Sequence, residues 1–197
     1  MNDMPHDDLL IITCTYRNYS ILKDFFSSLD SQTDSGFSVF LGDTTEEPQS
    51  VTTPSYARYH HLDNKGYAYC LNKGIQYGIQ HGYRSFCVVN SDIIFDSSFV
   101  ANTKASIQKN PSSLIGGKIY YAPGYEYHQD RYQKKDLGKV IWYAGGITDW
   151  KNAYTLHAGV DEVDKGQYET LTPTQFITGC LMAFDESVIQ RTGYFDE

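Results

Sequence analysis

The period of the apolar positions changes several times along the chain, and each change marks an element. Leu9 to Thr15 is a continuous β-rich apolar run, and Leu22, Phe25, Phe26 and Leu29 then recur at helical spacing until Ser35-Gly36 stops them. This reads as a strand followed by a helix. Phe37 to Leu41 predicts a second strand ending at Gly42-Asp43, and Tyr56 to Leu62 a third. The following helix carries Ala68, Leu71, Ile75 and Ile79 on one face, with Gly82 as its stop, and Phe86 to Val89 is a fourth, buried strand. Strands alternating with helices imply a mostly parallel sheet with right-handed crossovers and helices on both faces, a Rossmann-like α/β architecture. Beyond Asp92 the pattern loosens. Phe99 to Ile107 predicts a helix, Leu114 to Tyr121, Val140 to Tyr143 and Phe176 to Phe184 predict strands, and Glu186 to Arg191 a short helix. Between the strands at 121 and 140 lies a tyrosine-rich polar segment without period, of the kind that often shapes substrate sites.

Composition narrows the function. A chain of 197 residues has the size of one domain with a substantial core. A net charge of -8 argues against a nucleic-acid partner, which needs clustered Lys and Arg. A single nucleoside diphosphate stays compatible with that charge, because a divalent cation can supply the missing positive charge. The 17 tyrosines suit a surface both apolar and hydrogen-bonding, as in sugar-handling clefts, though they also suit ordinary cores. Cysteines at 14, 70, 87 and 180 form no C-x-x-C pair, and three sit in apolar runs, so reduced thiols in a cytoplasmic setting are expected rather than a disulfide frame or zinc site. The first twenty residues, polar and acidic with a short apolar stretch from Leu9 to Ile12, match neither a signal peptide nor a membrane span.

The candidate chemistry centres on Asn64 to Asp96. A polar glycine turn, a helix and a buried strand lead there to Asn90-Ser91-Asp92, and the carboxyl ends of strands are where open α/β sheets bind ligands. Asp92 reads either as a cap of the following turn or as a carboxylate for Mg or Mn, with phosphates and waters completing the shell. Asp43 also ends a strand and reads as a turn former or as a ligand contact in the same crevice. His157 reads as a loop histidine or as a diphosphate or acceptor contact, and His60-His61 lacks a third ligand for a metal. Trp142, Tyr143, Trp150 and Tyr154 are candidates for stacking on sugar rings or for the core.

Taken in order, Thr15-Tyr16-Arg17-Asn18, Asp43, Asn64-Lys65-Gly66 with Asn72-Lys73-Gly74, Asn90-Ser91-Asp92, Ala144-Gly145-Gly146, Thr178-Gly179-Cys180 and Gly193-Tyr194-Phe195-Asp196-Glu197 resemble the family-2 type of inverting nucleotide-sugar glycosyltransferases. The resemblance spans nearly the whole chain and is nearest to rhamnosyltransferase-like and galactofuranosyltransferase-like members that build bacterial surface polysaccharides. It implies an A-type glycosyltransferase fold in a single domain, with 1–95 as the nucleotide-binding half and 96–197 as the acceptor-side half. Thr15, Tyr16, Asp43, Asn64, Gly66, Asn72 and Ser91 match nucleotide-contacting positions. Asp92 matches the last acid of the family's Asp-x-Asp metal motif for Mn or Mg, with Asn90 in place of the first. Trp150, His157 and Gly179 fall on the acceptor side.

The implied reaction is attack by an acceptor hydroxyl on the anomeric carbon of a UDP- or dTDP-sugar, with a carboxylate taking the proton. The acceptor implied is a saccharide or a lipid-linked saccharide at the inner face of the cell membrane, with peripheral membrane association. Relatives place their base downstream of the phrase matching residues 194–197, so the resemblance implies that it lies beyond Glu197, that transfer by this stretch is weak, and that Asp196 is the nearest substitute. Other enzyme classes fail: no G-x-G-x-x-G follows the first strand, and no G-x-x-x-x-G-K-[ST] is present. A non-catalytic nucleotide-sugar or glycan-binding module with the same fold stays open.

Overall fold

The computed structural model describes residues 6–197, with side chains from Asp8 onward; the expectation about a leader falls partly on residues 1–5, outside the described residues. In chain order the strands are β1 (His6–Thr15), β2 (Phe37–Asp43), β3 (Ala57–His61), β4 (Tyr83–Val89), β5 (Ile119–Tyr120), β6 (Ile141–Tyr143), β7 (Gly146–Asp149), β8 (Tyr154–His157) and β9 (Leu181–Asp185). The helices are α1 (Leu22–Asp30), α2 (Tyr67–Gln80), α3 (Phe99–Lys109) and α4 (Glu186–Thr192). The described chain clusters into two units, one running to Ile115 and including Gly179–Glu197, the other Gly116–Thr178. No helix of the described residues is long and apolar enough to cross a membrane.

The first unit is built on a five-stranded sheet of order β3-β2-β1-β4-β9. The first four strands are parallel and β9 is antiparallel to β4, which gives the Rossmann-like, mostly parallel sheet that the alternation implied. Leu9, Leu10, Ile11 and Ile12 are each at most 1% exposed, because β1 is central and covered on both faces. Burial on both faces is why this strand shows no polar alternation. Each such side chain contributes about 2 kcal/mol of transfer free energy.

The fit of α2 to the sheet depends on small residues. Cys70, Gly74 and Gly78 stand one turn apart, and a Cβ would overlap Ile12 if added at Gly74 and Leu10 and Phe86 if added at Gly78. Four helical residues rise about 6 Å and two strand residues span about 6.6 Å. The small face of α2 therefore keeps step with Cys14, Ile12 and Leu10 as the helix runs antiparallel to β1. The β1-α1-β2 crossover turns the other way and places α1 on the opposite face. There Phe25 meets Phe26 and Phe95 edge-on, with centroids 5.4 and 5.3 Å away.

Two of the predicted strands are much shorter than expected. The predicted strand at 114–121 survives only as Ile119–Tyr120 and as a bridge from Ile115 to Ala183. The predicted strand at 176–184 begins only at Leu181. An apolar run is not a strand unless a neighbouring backbone is there to pair with it. Asp185 then caps α4 by accepting from the Ser187 N–H, and its other oxygen accepts from the Ser112 N–H at 2.7 Å.

The second unit contains two small antiparallel pairs, β5 with β6 and β7 with β8. Its irregular backbone is fastened by side chains. Glu126, 2% exposed, accepts from the Gly124 and Gly138 N–H groups at 2.8 and 2.7 Å. Lys118 donates to both Asp164 and Glu169 at 2.6 Å. Tyr143 is buried and donates to the Phe176 carbonyl at 2.7 Å.

Candidate functional site

In this strand order the chain leaves β1 toward β2 on one side, while β4 lies on the other. Loops after β1 and β4 thus diverge, and the carboxyl edge between them is the switch point where an open sheet forms a crevice. The residues singled out from sequence in the first half fall around this edge, at the end of β2, on the turns after β1, β3 and β4 and on the first turns of α2.

The turn after β1 is tied to the turn after β2. Thr15, 1% exposed, bonds through Oγ1 to the Asn18 carbonyl at 3.1 Å, and its own carbonyl accepts from the Thr44 N–H at 3.1 Å. Arg17 takes a positive φ of 56°, which turns its N–H onto Thr45 Oγ1 at 2.8 Å. Its guanidinium pairs with Glu46 at 3.0 Å and lies over the Tyr16 ring. Beside this turn is a cavity of about 380 Å³ lined by Arg17, Tyr19, Thr45, Glu46, Glu47 and Gln49.

Asp43 ends β2 with its side chain fully buried. One oxygen accepts from the Thr45 N–H, and the other from the Tyr19 and Tyr59 hydroxyls, all at 2.9 Å. Burial pushes its pKa up, but the Thr45 bonds and the two tyrosines outweigh that and hold it below the ordinary carboxylate value. Tyr19 both binds Asp43 and lines the cavity. The carboxylate is therefore one bond removed from that cavity, holding a tyrosine of its wall.

Asp92 is exposed, in the turn after β4. Gly66, with φ 99°, precedes α2 and provides no side-chain cap, so the first-turn N–H groups and the positive end of the helix dipole are available to a ligand. Tyr67, the first residue of α2, donates to Asn90 Oδ1 at 3.2 Å, and Asn90 Nδ2 reaches Cys180 Sγ at 3.2 Å. Burial and then the nearby Asp92 charge raise the Cys180 pKa. These bonds place the start of α2, Asn90 to Asp92, and Cys180 in one neighbourhood. Asn64 and Ser91 lie on the same turns, exposed and half-buried.

Among the described residues no group of three or more His, Cys, Asp or Glu is set to hold a metal ion. One exposed carboxylate beside hydroxyl and amide oxygens nevertheless fits the way Mg or Mn is bound when phosphates and waters fill the rest of the shell. Asn72 has a different setting from its turn-mates. It is 2% exposed, and its amide donates to the Phe195 carbonyl and to Glu197 at 2.9 and 2.8 Å while accepting from the Phe195 N–H at 3.0 Å. It grips residues 195–197, and Asp196 between them is exposed.

Gly179 is exposed, and a Cβ there would meet nothing within 4 Å. In the second unit Trp150, in the turn between β7 and β8, is 83% exposed. His157 departs from the loop reading: it ends β8, half-buried, with Nδ1 on the Trp142 carbonyl at 3.0 Å and its ring edge-on to Trp142 and Tyr143. Sequence reasoning missed Tyr19 and Tyr59. Their only local signal was a tyrosine just past β1 and another inside β3.

No protein-family model matches the chain, and no curated protein matches it. Among solved structures it is similar to S. aureus TarS 1-349, at 16% identity and TM-score 0.41 over 52% of this chain and 32% of that one. A second S. aureus TarS structure matches at 15% identity and TM-score 0.40 over 52% of this chain and 20% of that one. The chain thus spans about a third and a fifth of their lengths. Nothing about the chemistry of the site follows from a likeness of this size.

Proposed function

We propose that this chain binds a nucleoside-diphosphate sugar, UDP- or dTDP-linked, at the carboxyl edge of its sheet and belongs to an inverting glycosyltransferase of A-type fold. The observation that carries the reading is the convergence, at the switch point, of an exposed Asp92 with the uncapped start of α2. An anion is favoured at such a helix start, and a carboxylate beside it needs a cation to tolerate that anion. A diphosphate with Mg or Mn satisfies both. When bound, the ion neutralises the charge that develops on the departing diphosphate.

The residues of the chain divide the remaining work. Asn64, Gly66 and Ser91 line the diphosphate side. Thr15 and Tyr16 form the base side, where Asp43 sets the position of Tyr19. Asn72 holds the segment carrying Asp196, the nearest substitute for a base that takes the acceptor hydroxyl's proton. The exposed Trp150 of the second unit is assigned to a saccharide or lipid-linked acceptor in surface polysaccharide synthesis at the cytoplasmic face of the membrane.

A thermal-shift panel of UDP, dTDP, GDP and CMP, each with and without Mn, tests the reading. At a hundredfold excess over Kd, a ligand of the folded state stabilises by about 2.7 kcal/mol. That corresponds to a rise in Tm of about 5–10 °C. A rise with one nucleotide, dependent on Mn and absent in Asp92→Asn, is expected. Equal responses to all four, or one that Asp92→Asn leaves intact, would end the reading. Donor hydrolysis by the same protein separates an enzyme from a binding module.

A further inference from the structure

Cys14 stands one residue before the turn of Thr15, and its register partner on the neighbouring strand is Gly42. Register partners in a parallel sheet project to the same face, and neighbouring strands lie about 4.8 Å apart. The space where Gly42 would carry a Cβ is taken by the Sγ of Cys70, which a Cβ there would overlap. Cys70 therefore reaches from α2 onto the face of the sheet that Cys14 also faces, near enough for each thiol to shift the titration of the other. The close approach follows from the same small face of α2 that seats Gly74 on Ile12 and Gly78 on Leu10.

The two sulfurs differ in setting. Cys14 is half-buried and Cys70 fully buried. The Cys70 thiol, helped by Thr44 Oγ1 at 3.9 Å, draws Cys14 below the usual thiol range despite partial burial. Contact with Cys14 and burial push Cys70 the other way. The thiolate is thus favoured on the more accessible sulfur, the arrangement of an attacking and a resolving cysteine. Cys87, by contrast, is sealed within β4, where burial alone pushes its thiol up to about 12.

We propose that Cys14 and Cys70 form a redox-active dithiol that a hydroperoxide oxidises to an intramolecular disulfide. The Cys14 thiolate attacks one peroxide oxygen, the O–O bond breaks, and the leaving oxygen departs as an alcohol or water with a proton from solvent, which leaves a sulfenic acid on Cys14. Cys70 then attacks that sulfur, the S–O bond breaks, and hydroxide leaves as water with the Cys70 proton. Two thiols lose two electrons and the peroxide gains them. The cross-link joins the last residues of β1 to the first turns of α2 at the mouth of the crevice, whatever ligand that crevice takes.

Reduced protein is treated with one equivalent of hydrogen peroxide and read by intact mass and a non-reducing tryptic map. The expected result is a loss of about 2 Da, reversed by dithiothreitol. The map should link the peptide ending at Arg17 to the peptide spanning 66–73. Cys70→Ala should stop at a sulfenic acid on Cys14 that dimedone traps, and Cys180→Ala should keep the disulfide. A cross-link that uses Cys180 or Cys87, or wild-type protein in which Cys14 stays reduced while other residues oxidise, would overturn the proposal. The wild-type map decides even if a variant fails to fold.

Discussion

Asp43 and Asp92 look alike in sequence, each an acid released at the carboxyl end of a parallel strand, yet they have opposite fates. Asp43 is fully buried and takes three hydrogen bonds, from the Thr45 N–H, Tyr19 and Tyr59. Asp92 is exposed beside a helix start that no side chain caps. The first is part of the scaffold of the site, and the second is available to a ligand. Position at a strand end therefore says where an acid is, while its donors decide whether it can act on anything outside the fold.

The difference can be broken by substitution. Asp43→Ala should have the largest effect, a loss of about 3 kcal/mol, because it removes a charged acceptor and leaves buried donors unpaired. Urea unfolding measures it, and a loss under about 1 kcal/mol would mean that water replaces the carboxylate.

Acid titration should show the same residue. The folded pKa of Asp43 lies below its unfolded value near 3.8, so its contribution is complete above that pH and fades as pH falls through the folded value. Asp43→Asn should flatten that part of the pH–stability curve.

Single tyrosine changes are smaller. Tyr59→Phe and Tyr19→Phe should each cost about 1 kcal/mol. Their double variant should depart from additivity, since both hydroxyls share one oxygen. Additive losses would show that the two bonds are not coupled. Asp92→Asn should change stability least, within about 0.5 kcal/mol. Its effect should appear in the Mn-dependent nucleotide shift, so a large loss of stability there would erase the distinction between the two acids.

Much of this frame was legible from the residues. The run Leu9 to Ile12 gave a central strand because a strand covered on both faces has no polar position to alternate. Leu22, Phe25, Phe26 and Leu29 gave α1 because one stripe must face the sheet. The strand predicted at 114–121 failed because its residues have β character but little backbone to pair with. His157 reads from the sequence as a loop histidine or a ligand contact, yet its ring packs against Trp142 and Tyr143, and those contacts come from residues 14 or 15 positions away. The grip of Asn72 on residues 195–197 spans more than 120 positions and left no local trace.

The sequence by itself determined the alternation of strands and helices in the first half, its mostly parallel sheet, and the arrival of acids and glycines at strand ends, because those depend on periodicity and chain direction. The tertiary structure alone decided that Asp43 is sealed by tyrosines 24 and 16 positions away, that Asp92 is open, and that Cys70 fills the space left by Gly42, the register partner of Cys14. Hydrogen bonds and close contacts are set by distance in space, and the strand order that creates those distances is fixed only when the whole sheet is assembled.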